Sequence, residues 1–278
     1  LYGDKPTPSG SVARIPIHDE LEAQGFRLID YVAHLAVPVV DSHAEASLLL
    51  VLSGQLKLDV GRALTPGDVT TLQGSQRLQL EPRTRLWQIT GTRGLVRDLE
   101  RLSTHLRRKD AVTAAHSARV ARLALGIGQH LGLSGARRER LGLAAYLHDL
   151  GKLRLPSRVL QTPDSLTLAE WRLMVQHPSY GRQLLEPTPL VALAPWVEQH
   201  HERLDGSGYP FGLSGDAVQL ESYIIAVADT FDAITHARPY RGARSPQEAL
   251  SELNRYSDTL YPREVVAALN AATKTLSC

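Results

Sequence analysis

The stretch Leu141-Gly142-Leu143-Ala144-Ala145-Tyr146-Leu147-His148-Asp149-Leu150-Gly151-Lys152 decides how the rest of the chain is read. An apolar helical run closes on an adjacent imidazole and carboxylate. Neighbouring helical residues point roughly 100° apart, so His148 and Asp149 can serve one metal only if the metal lies near a helix end. Gly151 is expected to supply that end by taking the left-handed conformation that stops a helix, with Lys152 just beyond it. A His-Asp pair at a helix end also serves as an ion pair or a cap, so the assignment needs support from elsewhere.

That support comes from the surrounding pattern. Leucines at 95, 99, 102 and 106 among basic and acidic residues predict an amphipathic helix. Further helices are predicted over 110–131, 135–149, 168–176, 178–185, 189–201, 221–236, 245–256 and 262–275, with turns marked by Gly132, Pro156, Pro163, Pro187, Gly206, Gly208 and Pro239. His116, the His148-Asp149 pair, His177, the His200-His201 pair and Asp229 all fall in or at the ends of these helices. Five imidazoles and two carboxylates suffice for two six-coordinate sites if one carboxylate bridges and waters complete the shells. Nitrogen and oxygen donors without sulfur favour iron, manganese, cobalt or nickel, with zinc as a further option. The competing reading is a scatter of surface and core histidines.

The 278 residues, 43% of them hydrophobic, have room for one large or two ordinary domains. No apolar run reaches the roughly 20 residues of a membrane-spanning helix, and the first residues lack the layout of a signal peptide. Whether a segment precedes Leu1 is left open. The one cysteine, Cys278, excludes an intramolecular disulfide and suits a reducing cytoplasm. A formal charge of +2, from 31 basic and 29 acidic residues, gives no electrostatic case for nucleic acid as the main partner.

Upstream of about residue 92 the pattern is different. Residues 1 to about 20, with Gly3, Pro6, Pro8, Gly10 and Pro16, predict an extended entry. Strands are predicted over 47–52, 55–60, 77–80 and 85–89, with Leu56, Leu58 and Val60 alternating. The run Leu50-Val-Leu-Ser-Gly-Gln-Leu-Lys-Leu followed by Leu64-Thr-Pro-Gly-Asp resembles the jelly-roll core of cupins and cyclic-nucleotide-binding domains. It lacks a phosphate cassette and a clustered His pair, which favours a sensory or partner-binding module; His34 and His43 read as ordinary side chains. The fold class expected is therefore α+β: a small β-sandwich or barrel over 1–92 and an all-α unit over 93–278.

The helical half carries a further resemblance. Asp110-Ala-Val-Thr-Ala-Ala-His116-Ser-Ala-Arg-Val, Leu147-His-Asp-Leu-Gly-Lys152, His177-Pro-Ser-Tyr-Gly181, His200-His-Glu-Arg-Leu-Asp-Gly-Ser-Gly-Tyr-Pro210, Val227-Ala-Asp-Thr-Phe-Asp-Ala233 and Arg238-Pro-Tyr-Arg241 resemble, in order and spacing, the HD-GYP subclass of HD phosphohydrolases. The match covers about residues 105–272. The resemblance implies a phosphodiesterase of cyclic di-GMP that yields linear pGpG and, in some members, GMP. It makes His116, His148, Asp149 and Asp229 ligands of one metal, with Asp149 bridging to a second held by His177, His200 and His201. Lys152 would contact the scissile phosphate or the attacking hydroxide, and Arg238 and Arg241 would hold substrate phosphates. The loop Gly208-Tyr209-Pro210 would lie beside the site, with Tyr209 either stacking on substrate or packing, and could receive a diguanylate cyclase domain.

Some members hold a third metal through a Glu four residues before the first histidine; Val112 stands there and cannot coordinate, so two metals are expected. Such a centre would answer the anionic resistance of a phosphodiester by neutralising charge and acidifying a water. Glu202 and Asp205 are expected to pin the loop rather than act as acids. Two other readings stay open: an HD hydrolase of another nucleotide, and a module that binds nucleotide or a partner without turnover. A homodimer is compatible with either.

Overall fold

A computed structural model describes residues 12–15, 26–33, 39–40, 47–58, 63–72, 76–81, 84–161, 166–237 and 242–276. The strands are β1 (Val12–Ile15), β2 (Phe26–Ala33), β3 (Val39–Val40), β4 (Ser47–Ser53), β5 (Leu56–Leu58), β6 (Ala63–Leu64), β7 (Val69–Leu72), β8 (Gln76–Leu80) and β9 (Arg85–Gly91). They pair antiparallel into one sheet ordered β1-β2-β9-β4-β7 and another ordered β3-β8-β5-β6. Alternation along β4 explains its two-sided burial, because successive side chains point to opposite faces. Leu49 and Val51 pack with Leu56, Leu64 and Leu86, whereas Leu48, Leu50 and Leu52 join Trp87 and Ile89 in the core shared with the helices. His34 and His43 lie outside the described residues.

The change from strand to helix falls at Thr92, whose side chain accepts a hydrogen bond from Leu95 N (3.3 Å) and caps α1 (Arg93–Lys109). Leu95, Leu99, Leu102 and Leu106 form its buried stripe. Asp110 ends α1 and caps α2 (Ala111–His130) by accepting from Thr113 N at 3.0 Å. Next come α3 (Gly135–Leu147), α4 (Ser157–Gln161), α5 (Leu168–Met174), α6 (His177–Leu185), α7 (Ala194–Glu198), α8 (Leu220–Thr235), α9 (Pro246–Arg255) and α10 (Arg263–Leu276).

Two helical expectations change. The helix expected over 189–201 is a 3-10 turn, Val191–Leu193, followed by the five-residue α7. Pro195 sits in the first turn of α7, where a missing N–H is tolerated, and it cannot extend a helix begun six residues earlier. Helix α4 carries no sequence signal beyond Pro156 before it.

The hydrophobic core runs across the strand-to-helix change. Trp87 is fully buried against Gly142 of α3, and Tyr146 of the same helix donates its hydroxyl to the Gly67 carbonyl at 3.2 Å. Arg107 on α1 pairs with the buried Asp68. The turn before β7 is thus tied to α1 and to α3, the helix that His148 caps.

Candidate metal centre

Each element delivers one or two donors to a common point. His116 lies on α2, His148 caps α3, His177 opens α6, His200 and His201 follow α7, and Asp229 lies on α8. Helix α3 stops without a left-handed residue: His148 stays helical, Asp149 has φ −91°, and the chain tightens into a 3-10 turn over Leu150–Arg154. Gly151 is not among the glycines with positive φ, which corrects its expected role. It is needed instead for close approach, because a Cβ there would collide with the His177 carbonyl and the Gly181 amide. Gly151 therefore lets α6, and His177 with it, dock onto the turn that holds Asp149.

Two donor groups result, His116-His148-Asp149 and His177-His200-His201. Asp229 joins the first through its Oδ1, 3.0 Å from His116 Nε2. Asp149 lies between them: Oδ2 is 3.4 Å from His148 Nε2 and 4.0 Å from His116 Nε2, while Oδ1 is 3.4 Å from His177 Nε2. Lys152 donates to Asp149 Oδ2 at 2.7 Å.

The imidazoles are aimed by their other nitrogens. Nδ1 of His148, His177 and His200 lies 2.7, 2.8 and 2.6 Å from the carbonyls of Ala145, Met174 and Val197. A carbonyl only accepts, so each Nδ1 must carry the proton and each neutral ring presents a bare Nε2. Nε2 of His177 and His200 meet at 3.3 Å, and Nε2 of His148 is buried without a hydrogen-bond partner. Lone pairs converging in a dry site are unfavourable without a cation, and imidazoles oriented through Nδ1 are what a metal requires. The donors are nitrogen and oxygen throughout, so the residues fit divalent transition metals.

Electrostatics divides the groups. Burial pushes His177 down to about 4 and holds His200 and His201 well below the usual imidazole range, with neighbouring imidazoles adding to the effect. Burial also opposes charge on His116, but Asp229 and Asp232 outweigh it and raise the imidazole to about 9. Burial likewise disfavours the Asp149 carboxylate; the Lys152 ammonium beside it reverses this and holds the acid well below the carboxylate range. Asp229 is held low against its burial by His116.

The loop after α7 closes one side. Glu202, fully buried, accepts from Phe211 N at 2.8 Å and Leu213 N at 2.9 Å, and Asp205 accepts from the Ser207 amide and hydroxyl, so both pin the loop as expected. Gly208 passes so close to Glu202 and Arg203 that a Cβ would overlap their backbone. Tyr209 lies over His201, ring centroids 4.6 Å apart and 27° from parallel.

Residues 100–265 match the family model described as the HD domain. The chain belongs to the HD domain family. It is 41% identical over 169 residues to the 3'3'-cGAMP-specific phosphodiesterase 3 of Vibrio cholerae, an overlap covering 60% of this chain and 37% of that protein. It is 40% identical over 179 residues to the cyclic di-GMP phosphodiesterase response regulator RpfG of Xanthomonas campestris, covering 62% and 46%. The identity to the cyclic di-GMP phosphodiesterase of Thermotoga maritima is 37% over 172 residues, covering 61% and 47%. The chain spans less than half the length of these relatives.

Within the HD domain, His116, His148, Asp149, His177, His200, His201 and Asp229 converge, with Lys152 and Tyr209 beside them. Arg238 and Arg241 lie outside the described residues. Val112 is 65% exposed on α2. Sequence reasoning missed Asp232 and Arg119. Asp232 Oδ2 lies 2.7 Å from His116 Nδ1, and Arg119 grips both Asp232 oxygens at 2.7 and 2.9 Å. The signal was available: Arg119 follows His116 by three and Asp232 follows Asp229 by three, so each pair shares a helix face. No helix among the described residues is long and apolar enough to cross a membrane.

Proposed function

We propose that the HD domain is a metal-dependent phosphodiesterase of the HD-GYP subclass that hydrolyses cyclic di-GMP to linear pGpG, with GMP as a further product. The observation that carries this reading is Asp149, whose two oxygens face different histidine groups, 3.4 Å from His148 on one side and 3.4 Å from His177 on the other. His116, His148, Asp149 and Asp229 would hold one divalent ion and His177, His200 and His201 the other, with iron or manganese first in suitability and nickel, cobalt or zinc after them. Such a pair supplies charge neutralisation and an acidified water.

The chain's own residues do the positioning. The carbonyls of Ala145, Met174 and Val197 keep three Nε2 atoms bare, Asp232 orients His116, and Lys152 holds a positive charge beside Asp149 for the phosphate to meet. Arg238 and Arg241 would grip the substrate phosphates, because planar guanidinium forks donate two hydrogen bonds each.

A second substrate, 3'3'-cGAMP, is supported by the 41% identity to a phosphodiesterase named for it. We assign residues 1–92 to a jelly-roll-like regulatory module and 93–278 to the catalytic unit. The cluster Leu49, Val51, Leu56, Leu64 and Leu86, which packs one sheet on the other, supports the former. We also assign a cytoplasmic location, a diguanylate cyclase partner at the Gly208-Tyr209-Pro210 loop, and a homodimer as the form to test first.

The deciding experiment is metal analysis of anaerobically prepared protein combined with product analysis on cyclic di-GMP and 3'3'-cGAMP in parallel. Two metal equivalents with pGpG formation supports the reading. A fully metallated protein that binds either dinucleotide without turnover would leave a non-catalytic receptor instead.

A further inference from the structure

One large aromatic side chain beside the metal centre has no place in the core. Of the three tryptophans, Trp87 and Trp196 are 0% and 9% exposed, whereas Trp171 on α5 is 46% exposed. Helix α5 buries none of its residues, yet it is well specified. A capping box fixes its start: Glu170 N donates to Thr167 Oγ1 at 3.3 Å and Thr167 N donates to Glu170 Oε2 at 3.0 Å. At its other end only Val175 and Gln176 separate it from His177. The indole is therefore held on a defined element while much of its apolar surface faces water, a costly arrangement for a group of this area.

Its neighbours point to what it contacts. The indole meets the Tyr209 ring at 5.8 Å and 76°, so the two rings form a corner. Tyr209 in turn lies nearly parallel over His201 at 4.6 Å, and its centroid is 6.5 Å from that of His177. The corner is one ring removed from two candidate ligands. Tyr209 already has one face covered by His201, which leaves it poorly suited as the main platform for a base. Trp171 keeps open surface, and a flat ring laid on it would meet Tyr209 edge to face. In a dinucleotide one ribose separates each base from its phosphate, so a phosphate at the metals places a base near this corner.

We propose that Trp171 is a specificity-determining residue that stacks a purine base of the substrate, with Tyr209 as the perpendicular wall. The inference rests on the phosphodiesterase reading and adds a recognition element to it. Base stacking on aromatic side chains is sequence-tolerant because every base has a π-face, so Trp171 selects for a nucleobase and leaves the choice between guanine and adenine to other contacts.

The test uses the full metal-loaded chain. Trp171→Ala should raise KM for cyclic di-GMP about 5-fold to 100-fold while kcat changes less than about threefold, and Trp171→Phe should recover most of the loss. Metal content should not change. In parallel, titration with pGpG should quench the exposed tryptophan's fluorescence in the unsubstituted protein and not in Trp171→Phe, where only the buried Trp87 and Trp196 remain. A KM within twofold of the parent in Trp171→Ala, or a quench that persists in Trp171→Phe, would overturn the proposal and leave Trp171 to a protein contact. If the metallated parent hydrolyses no cyclic dinucleotide, the phosphodiesterase reading fails. The fluorescence titration, repeated with GMP, then still decides whether Trp171 stacks a purine: a quench lost in Trp171→Phe sustains it and no quench ends it.

Discussion

Nε2 of His177 and Nε2 of His200 stand 3.3 Å apart while the Nδ1 of each is tied to a backbone carbonyl. Two lone pairs held this close by the fold oppose one another until a cation joins them. Metal loading should therefore raise thermal stability. At 100 times Kd, one bound ion adds about 2.7 kcal/mol, which is about 5–10 °C in melting temperature for a unit of this size. Scanning calorimetry of chelated and reloaded protein measures it, and the double variant His177→Ala/His200→Ala should lose most of the gain at that site.

Asp149→Asn should be the most damaging ligand change, because the two Asp149 oxygens face different donor groups. Occupancy should fall at both sites, and turnover should fall by more than the roughly 10–100-fold typical of a change beyond the ligands themselves. Elemental analysis beside kinetics decides it: two retained metals with near-parental turnover would remove Asp149 as the bridge.

Asp232→Asn separates the two sites. Of the two donor groups, Asp232 contacts the one that holds His116, where its carboxylate orients Nδ1, and Arg119 and His236 flank it. The first site should weaken by about 10–100-fold while His177, His200 and His201 keep theirs. Stepwise metal titration should show one affinity moved and the other unchanged.

Metal binding should release a proton at neutral pH. In the metal-free fold His116 stays protonated up to about 9, above the ordinary 6.5, and its carboxylate contacts stabilise that fold. By linkage this contribution is complete below pH 6.5 and is lost as pH rises through 9. A metal at Nε2 must displace that proton, so apparent affinity at this site rises with pH until about 9. His177, at about 4, is already neutral and adds nothing to the release near pH 7. Calorimetric titrations at pH 7.5 in buffers of different ionisation enthalpy should report about one proton per chain, and Asp232→Asn, which removes one of the raising carboxylates, should report fewer.

Gly151→Ala should be far worse than an ordinary helix-end substitution. The added methyl meets the backbone of His177 and Gly181, neither of which can rotate away. Overpacking of this kind costs about 1–3 kcal/mol or more. Because the displaced residue is His177, second-site affinity should fall with the melting temperature. An unchanged metal titration in a folded variant would contradict the docking role.

Most of the helices, and the seven residues that converge in the fold, were legible in the residue pattern. Leucine periodicity marks the buried stripe of α1, Asp110 sits where α2 needs a cap, and the order of His116, His148-Asp149, His177, His200-His201 and Asp229 is a local pattern of residue types. Pro195 could have shortened the helix after 189, since its effect is also local. Relations between elements distant in the chain are visible only once the chain is folded. Those are the distances that set the two oxygens of Asp149 against different histidine groups, a division the family resemblance already implied, the bracing of His116 by Asp232 and Arg119, and the reason for Gly151, which is the passage of another backbone rather than a left-handed turn. The same holds for Trp171: periodicity can show that an aromatic lies on a short helix, but only packing shows that its indole is left open beside Tyr209. Propensity and capping act over one turn of chain, whereas coordination, clash and exposure depend on which surfaces the whole fold brings together.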